Sequence, residues 1–224
     1  MVGAVAVRTH HAGGNSSEDP TRNPDTSGNC EAGLAEGKVP MWQGDGVATW
    51  IVLLRGINVG GANRLAMADL RELMNRLGHT GVSTYIQSGN VVVTSTRLDR
   101  AALAAEICDG IQTSFEMAVS AVLRTPDELR AALAANPFPT EPDGTKVLIT
   151  FLSGLASSDD VARLEPERFV PDRFELLGSE LYGHYPNGAG RSKMTLDYFE
   201  KRLKVRGTAR NLNTVAKLIE LSSG

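Results

Sequence analysis

The chain has 224 residues, 42% hydrophobic and 22% charged, with a formal net charge of −3 and two cysteines. That apolar content suffices for one large or two small cores, and no apolar run approaches the roughly 18 residues of a membrane span. No hydrophobic signal-peptide stretch opens the chain, so a cytoplasmic protein without a membrane partner is expected, and Cys30 and Cys108 read as free thiols rather than a disulfide framework or zinc site.

Residues 1–47 are rich in small and polar residues and lack periodicity, which predicts a disordered N-terminal tail. Arg8, Arg22 and Lys38 stand there against Glu18, Asp19, Asp25, Glu31, Glu36 and Asp45, so the tail carries the whole net charge. Met41 just ahead of the first strand suggests an alternative translation start, which an intact mass of the native protein would reveal.

From Thr49, "TWIVLLRG" reads as a strand buried on both faces, and Met67, Leu70, Leu73, Met74 and Leu77 recur at helical spacing until Gly78. "GVSTYIQSGNVVVTS" predicts a hairpin turning at Ser88-Gly89. Leu103, Ile107, Ile111 and Phe115 mark a second helix, and "AVSAVLR" a fourth strand. "TPDELRAALAAN" carries a capping box, Thr125 with Glu128, and opens a connecting helix. The second part repeats the order: strand "KVLITFL", short helix "SSDDVARLE", hairpin "DRFELLGSELYGHYP", a helix from "RSKMTLDYFEKRLK", strand "TARN", and a last helix with Asn213 as its cap. The fold class this implies is α+β: two ferredoxin-like βαββαβ halves with antiparallel sheets, a connecting helix and a C-terminal helix. The boundaries are 48–124 for the first half, 125–145 for the connecting helix and loop, and 146–224 for the second half. The two halves share element order but no evident residue-level repeat.

"LLRGINVGGANR" places Arg55, Asn58, Gly60 and Gly61 directly after the first strand. The Lys-Ser/Thr of a phosphate-binding Walker loop is missing, and Gly56, Gly60 and Gly61 lack G-x-G-x-x-G spacing, so no nucleotide cofactor is implied. Because the first two strands of a ferredoxin-like half run parallel, this loop should meet the Gln87, Ser88, Asn90 turn at one sheet edge. A second cluster, Arg191, Ser192 and Lys193, is expected at a helix start beside Arg210 and Asn211. Gly190 to Lys217 holds eight bases against Asp197 and Glu200, a local excess fit for an anionic partner or an exposed helix face. The four histidines have no metal-ligand spacing. Tyr85 and Tyr185 sit on strands, where packing competes with nucleobase stacking.

In "WIVLLRGINVGGANRLAMADLRELMNRLG", "VSTYIQSGNVVVTS", "NPF", "RSKMT" and "TARNLNTVAKLIEL", taken together, the chain resembles the bacterial family called domain of unknown function 1697. It departs from the family pattern at Ala66 and Leu212. The resemblance implies two ferredoxin-like halves and no established activity, and its motif positions are Arg55, Asn58, Gly60, Gly61, Gln87, Ser88, Gly89, Asn90, Arg191, Ser192, Lys193, Arg210, Asn211 and Asn213. Three readings stay open: binding of a phosphate-bearing small molecule or nucleic acid, an enzyme with Ser192 or Lys193 in its site, and a purely structural role in which burial and mutual bonding would be the signature.

Overall fold

The computed structural model describes residues 46–59 and 63–223. Strands β1 (Ala48–Leu54), β2 (Thr80–Tyr85), β3 (Asn90–Ser95) and β4 (Ala121–Arg124), with helices α1 (Met67–Arg76) and α2 (Arg100–Phe115), form the first half. Helix α3 (Pro126–Ala134) follows. Strands β5 (Val147–Leu152), β6 (Arg173–Leu177), β7 (Glu180–His184) and β8 (Gly207–Asn211) then alternate with α4 (Ser158–Val161) and α5 (Leu196–Leu203), and α6 (Leu212–Leu221) ends the chain. The sheets have the orders β2-β3-β1-β4 and β6-β7-β5-β8, antiparallel throughout. The α+β architecture of two ferredoxin-like halves is therefore present, and residues 1–45 of the tail and Gly60-Gly61 lie outside the described residues.

A residue-level repeat, invisible in the sequence alone, emerges from strand register. Ile51 pairs with Arg124 and Ile149 with Arg210, while Leu53 pairs with Asn90 and Phe151 with Glu180. Arg124 thus corresponds to Arg210 and Asn90 to Glu180. Each arginine is followed by a helix cap: Thr125 completes the expected capping box of α3, and the Asn211 side chain accepts from Thr214 N–H at 2.8 Å to cap α6. The repeat is βαββαβα, with α3 and α6 as equivalents.

Two local expectations are corrected by this geometry. The cap of the last helix is Asn211 rather than Asn213, because the chain leaves β8 and turns helical within one residue. Arg191 does not begin a helix: it ends a 3-10 turn, Ser192 is extended, and α5 begins only at Leu196 behind the Thr195 cap, with Asp197 in the first turn where the helix dipole favours an acid.

Alternation along the central strands decides the layers. Trp50, Val52 and Leu54 face α1 and α2, whereas Ile51 and Leu53 face a shared core containing Val147, Ile149, Phe151 and Tyr182 of the second sheet. Leu129 and Ala132 of α3 and Val215 and Leu218 of α6 complete that shared core. The outer face of the second sheet packs Leu152, Phe174 and Leu181 on Phe199 and Leu203 of α5. With each fully buried apolar side chain worth about 1.5–3 kcal/mol, the shared core couples the halves strongly.

Candidate functional site at the seam between the halves

The β1 end and the β2–β3 turn do meet. Leu54 N–H donates to the Gly89 carbonyl at 2.8 Å, and Gly89 has φ +71° with its Cα so close to Leu54 that an added Cβ would lie 2.7 Å from the leucine Cβ. Only glycine fits that approach. Asn58, itself at φ +56°, clips the two loops together: its amide nitrogen donates to the carbonyls of Leu65 (2.8 Å) and Gln87 (2.7 Å), and its oxygen accepts from Leu65 N–H (2.9 Å). Asn63 Nδ2 donates to the Gly56 carbonyl at 3.1 Å. The Gln87 side chain is exposed.

Arg210 joins this first cluster, not Arg191. It is buried, and its guanidinium donates to Asn90 Oδ1, Thr208 Oγ1 (2.7 Å), and the carbonyls of Ala209 (2.8 Å), Leu54 (2.8 Å) and Ser88 (3.1 Å). Asn90 is fully buried and spends its amide nitrogen on Tyr85 O (3.1 Å) and Ser88 Oγ (3.0 Å). No carboxylate faces Arg210 among the described residues, and burial pushes its pKa down to about 10, still well above neutrality. The fork of five donors is saturated by carbonyls, a hydroxyl and an amide.

Arg124 repeats the arrangement in the opposite direction. Its Nη2 donates to the Leu152 carbonyl at 2.8 Å and to Ser179 Oγ at 3.3 Å, its Nη1 to Leu123 O at 3.0 Å, and its Nε to Glu180 Oε1 at 3.2 Å. Each half therefore sends the arginine at the end of its last strand to the end of the other's first strand. The chemical difference lies in the partner of Nε, a carboxylate in one tie and an amide in the other.

Arg55 is engaged too. Its guanidinium bonds Glu200 and lies 3.6 Å from Asp197, both on α5 of the other half. Burial alone would raise the Glu200 carboxyl, yet Arg55, the Gly207 N–H at 2.8 Å and Arg206 at 3.6 Å hold it below the usual carboxylate range. An open cavity of about 440 Å³ borders this pair, lined by Asp197, Glu200, Lys201, Lys204 and Arg206.

The second cluster is built differently. Ser192 Oγ donates to Asp172 at 2.5 Å and accepts from Met194 N–H at 2.8 Å, and Tyr185 Oη, buried, donates to Met194 O at 3.2 Å. Met194 is buried and Ser192 half-buried while Arg191 and Lys193 are exposed, so the braced segment turns both cations outward. Tyr85 is half-buried against the shared core, and Tyr185 is buried in the outer core of the second sheet. Cys108 is half-buried and its thiol is pushed up by burial, the opposite of an activated nucleophile. Among the described residues no group of three or more His, Cys, Asp or Glu could hold a metal ion, and no helix is long and apolar enough to cross a membrane.

A family model described as "Protein of unknown function (DUF1697)" matches residues 47–182. The chain belongs to the DUF1697 family. The matched stretch includes the Arg55–Asn58 loop, the Gln87–Asn90 turn and both Arg124 and Glu180, and it ends before the Arg191 and Arg210 motifs. The fold of this DUF1697 protein is similar to that of SP0830, a conserved bacterial protein from Streptococcus pneumoniae, with 26% identity and a TM-score of 0.61 over 79% of this chain and 99% of that one. No curated protein matches it.

Sequence reasoning missed Arg124, Glu180 and Glu200. Their partners across the seam lie 28 to 145 positions away, so no local pattern exposes these contacts. The one available signal was the shared arrangement of an arginine before a helix cap in "LRT" and "ARN".

Proposed function

We propose that this DUF1697 protein is a cytoplasmic binding protein for a phosphate-bearing ligand, with Arg191 and Lys193 as its anion contacts. The observation that supports this reading is selective pairing. Arg202 meets Glu165 (3.1 Å), Lys204 meets Asp160 (2.8 Å), Arg206 lies near Glu200, Lys217 meets Glu220 (2.6 Å), and Arg210 is buried. Five of the eight bases of that segment are thus absorbed by acids or burial, which leaves Arg191, Lys193 and, on α5, Lys201. Arg191 and Lys193 have no carboxylate within ion-pair distance among the described residues, and both belong to a segment braced by Ser192.

The two cations flank the braced Ser192, both exposed and two positions apart in the chain, close enough for both to engage one phosphate. Arg55, Asn58, Asn90 and Arg210 hold the supporting scaffold in this reading, with Gln87, Ser88 and Asn211 at its margins. Ser192 acts as a brace rather than a nucleophile, since its hydroxyl proton is already given to Asp172.

The test is a calorimetric titration of the full chain with a panel of phosphorylated metabolites and a single-stranded oligonucleotide. Charge-removing R191Q/K193Q should weaken the productive ligand tenfold or more, S192A severalfold, and R202Q little. For an oligonucleotide, the slope of log K against log salt should fall by about 0.7 for each phosphate that the variant no longer neutralises. Unchanged binding in R191Q/K193Q removes the proposal.

A further inference from the structure

At the far end of the first half, α1 closes in a Schellman motif: Gly78 N–H donates to Asn75 O (3.0 Å) and His79 N–H to Met74 O (3.1 Å), with Gly78 at φ +85°. The residue in the position of His79 ordinarily contributes an apolar contact to the preceding turn. Here it is a histidine, 5% exposed, and its Nε2 is a buried side-chain atom without a hydrogen-bond partner. A buried polar atom left unpaired in a protein interior is costly, and a native structure that retains one generally has a use for it.

The surroundings give that atom a purpose. The His79 residue lines an open-mouthed cavity of about 260 Å³ together with Gly78, Ser95, Thr96, Arg97 and Glu106. Glu106 of α2 lies across it, with Oε2 3.9 Å from His79 Nε2, too far for a direct bond but spaced so that one oxygen about 2.8 Å from each would bridge them. Arg97 holds Glu106 in a two-point fork, Nε to Oε2 at 2.8 Å and Nη2 to Oε1 at 2.9 Å. The Arg97 carbonyl is itself fixed by Trp50 Nε1 at 3.2 Å. Ser95 Oγ accepts from Arg97 N–H at 3.0 Å and gives its own proton to no group among the described residues.

Chemistry selects the occupant. An anion would meet Glu106 and a cation would meet Arg97, while burial keeps the His79 imidazole neutral against the opposing pull of Glu106. The wall offers paired donors and acceptors with no net charge, which suits hydroxyl groups that donate and accept at once. At about 30 Å³ per water the cavity holds roughly nine, more than a single bridging water needs, and it falls below the roughly 300–1,000 Å³ of pockets for drug-sized ligands.

We propose that this cavity binds a small neutral polyol of pentose or hexose size, one hydroxyl of which bridges His79 Nε2 and Glu106 Oε2. The site is separate from the Arg191–Lys193 segment and does not depend on its role.

The experiment titrates the isotopically labelled full chain with D-ribose, D-glucose and glycerol, with inorganic phosphate as the charged control, following the His79 ring nitrogens by NMR. One polyol should shift the Nε2 resonance saturably, and H79L and E106Q should each weaken that binding tenfold or more. Should H79L fail to fold, E106Q decides, because its carboxylate is partly exposed and the substitution keeps its shape. No saturable shift with any polyol, a response to phosphate alone, or binding undiminished in E106Q would each overturn the proposal.

Discussion

The guanidinium of Arg210 donates to the main-chain carbonyl of Leu54 at 2.8 Å, joining the last strand of one half to the first strand of the other. Arg124 makes the reciprocal bond to Leu152, also at 2.8 Å. The two ties use equivalent carbonyls, that of the preceding residue and that at the end of the other half's first strand, and differ in whether Asn90 or Glu180 receives Nε. An arginine fork suits this place because one planar group reaches several carbonyls whose directions a lysine could not satisfy together.

Truncating either arginine strands buried acceptors in both halves. R210M leaves Ser88 O and Asn90 Oδ1 without this donor and Leu54 O with the longer bond from Thr208 Oγ1 at 3.4 Å, and a loss of about 3–5 kcal/mol is expected at about 1–3 kcal/mol for each stranded acceptor. R210K should recover only a minor part. Urea unfolding at neutral pH measures both, and a loss below about 1 kcal/mol in R210M would show that the seam is held by its apolar core alone.

The Asn58 clip predicts a local effect with a different signature. N58A removes three hydrogen bonds and places a β-carbon residue less suited than Asn at φ +56°, for a cost of about 2–3 kcal/mol. N58G keeps the backbone conformation and loses the bonds. Both should speed limited proteolysis between Arg55 and Leu65, with N58A the less stable of the two.

Glu200 gives acid sensitivity its sign. Its folded-state carboxyl is held below the usual range, so the stabilisation is fully present above the unfolded value of about 4.3 and is lost as pH falls through the folded value. E200Q should lower the melting temperature at pH 7 and flatten its decline between about pH 5 and pH 3, as should R55M. Parallel pH profiles of wild type and E200Q would refute the assignment.

His79 acts on the other limb. Burial, aided by Arg97 and opposed by Glu106, lowers its folded-state pKa beneath the unfolded value of about 6.5. The neutral ring is therefore favoured above that pH, and stability declines as pH falls below it, where the unfolded chain takes up the proton first. H79L should remove this component and stabilise the ligand-free protein by about 1–3 kcal/mol, since an apolar side chain replaces an unpaired polar atom. Melting curves from about pH 8 to pH 5 for both proteins supply the comparison.

Much of the architecture was legible because it is written in short-range periodicity. Met67, Leu70, Leu73 and Met74 mark the buried face of α1, Thr125 with Glu128 announces α3, and the apolar run through β1 signals a strand covered on both faces. The start of α5 is not legible locally, because "RSK" abuts an amphipathic stretch whereas the side chain that caps the helix, Thr195, lies further on. The juxtaposition of Asn58 with the Gln87 turn followed from ferredoxin-like strand directions.

The amino-acid sequence by itself thus determined the element order, the two-half α+β fold and the set of polar motif residues, because helix and strand periods and caps act over a few residues. Only the tertiary structure decided what those residues do. Whether Arg210 meets a ligand or Leu54, whether Glu200 neutralises Arg55, and whether His79 Nε2 finds a partner all depend on groups brought together from distant parts of the chain. Pairing and desolvation act through space, and burial determines whether an arginine remains available at the surface or becomes part of the seam.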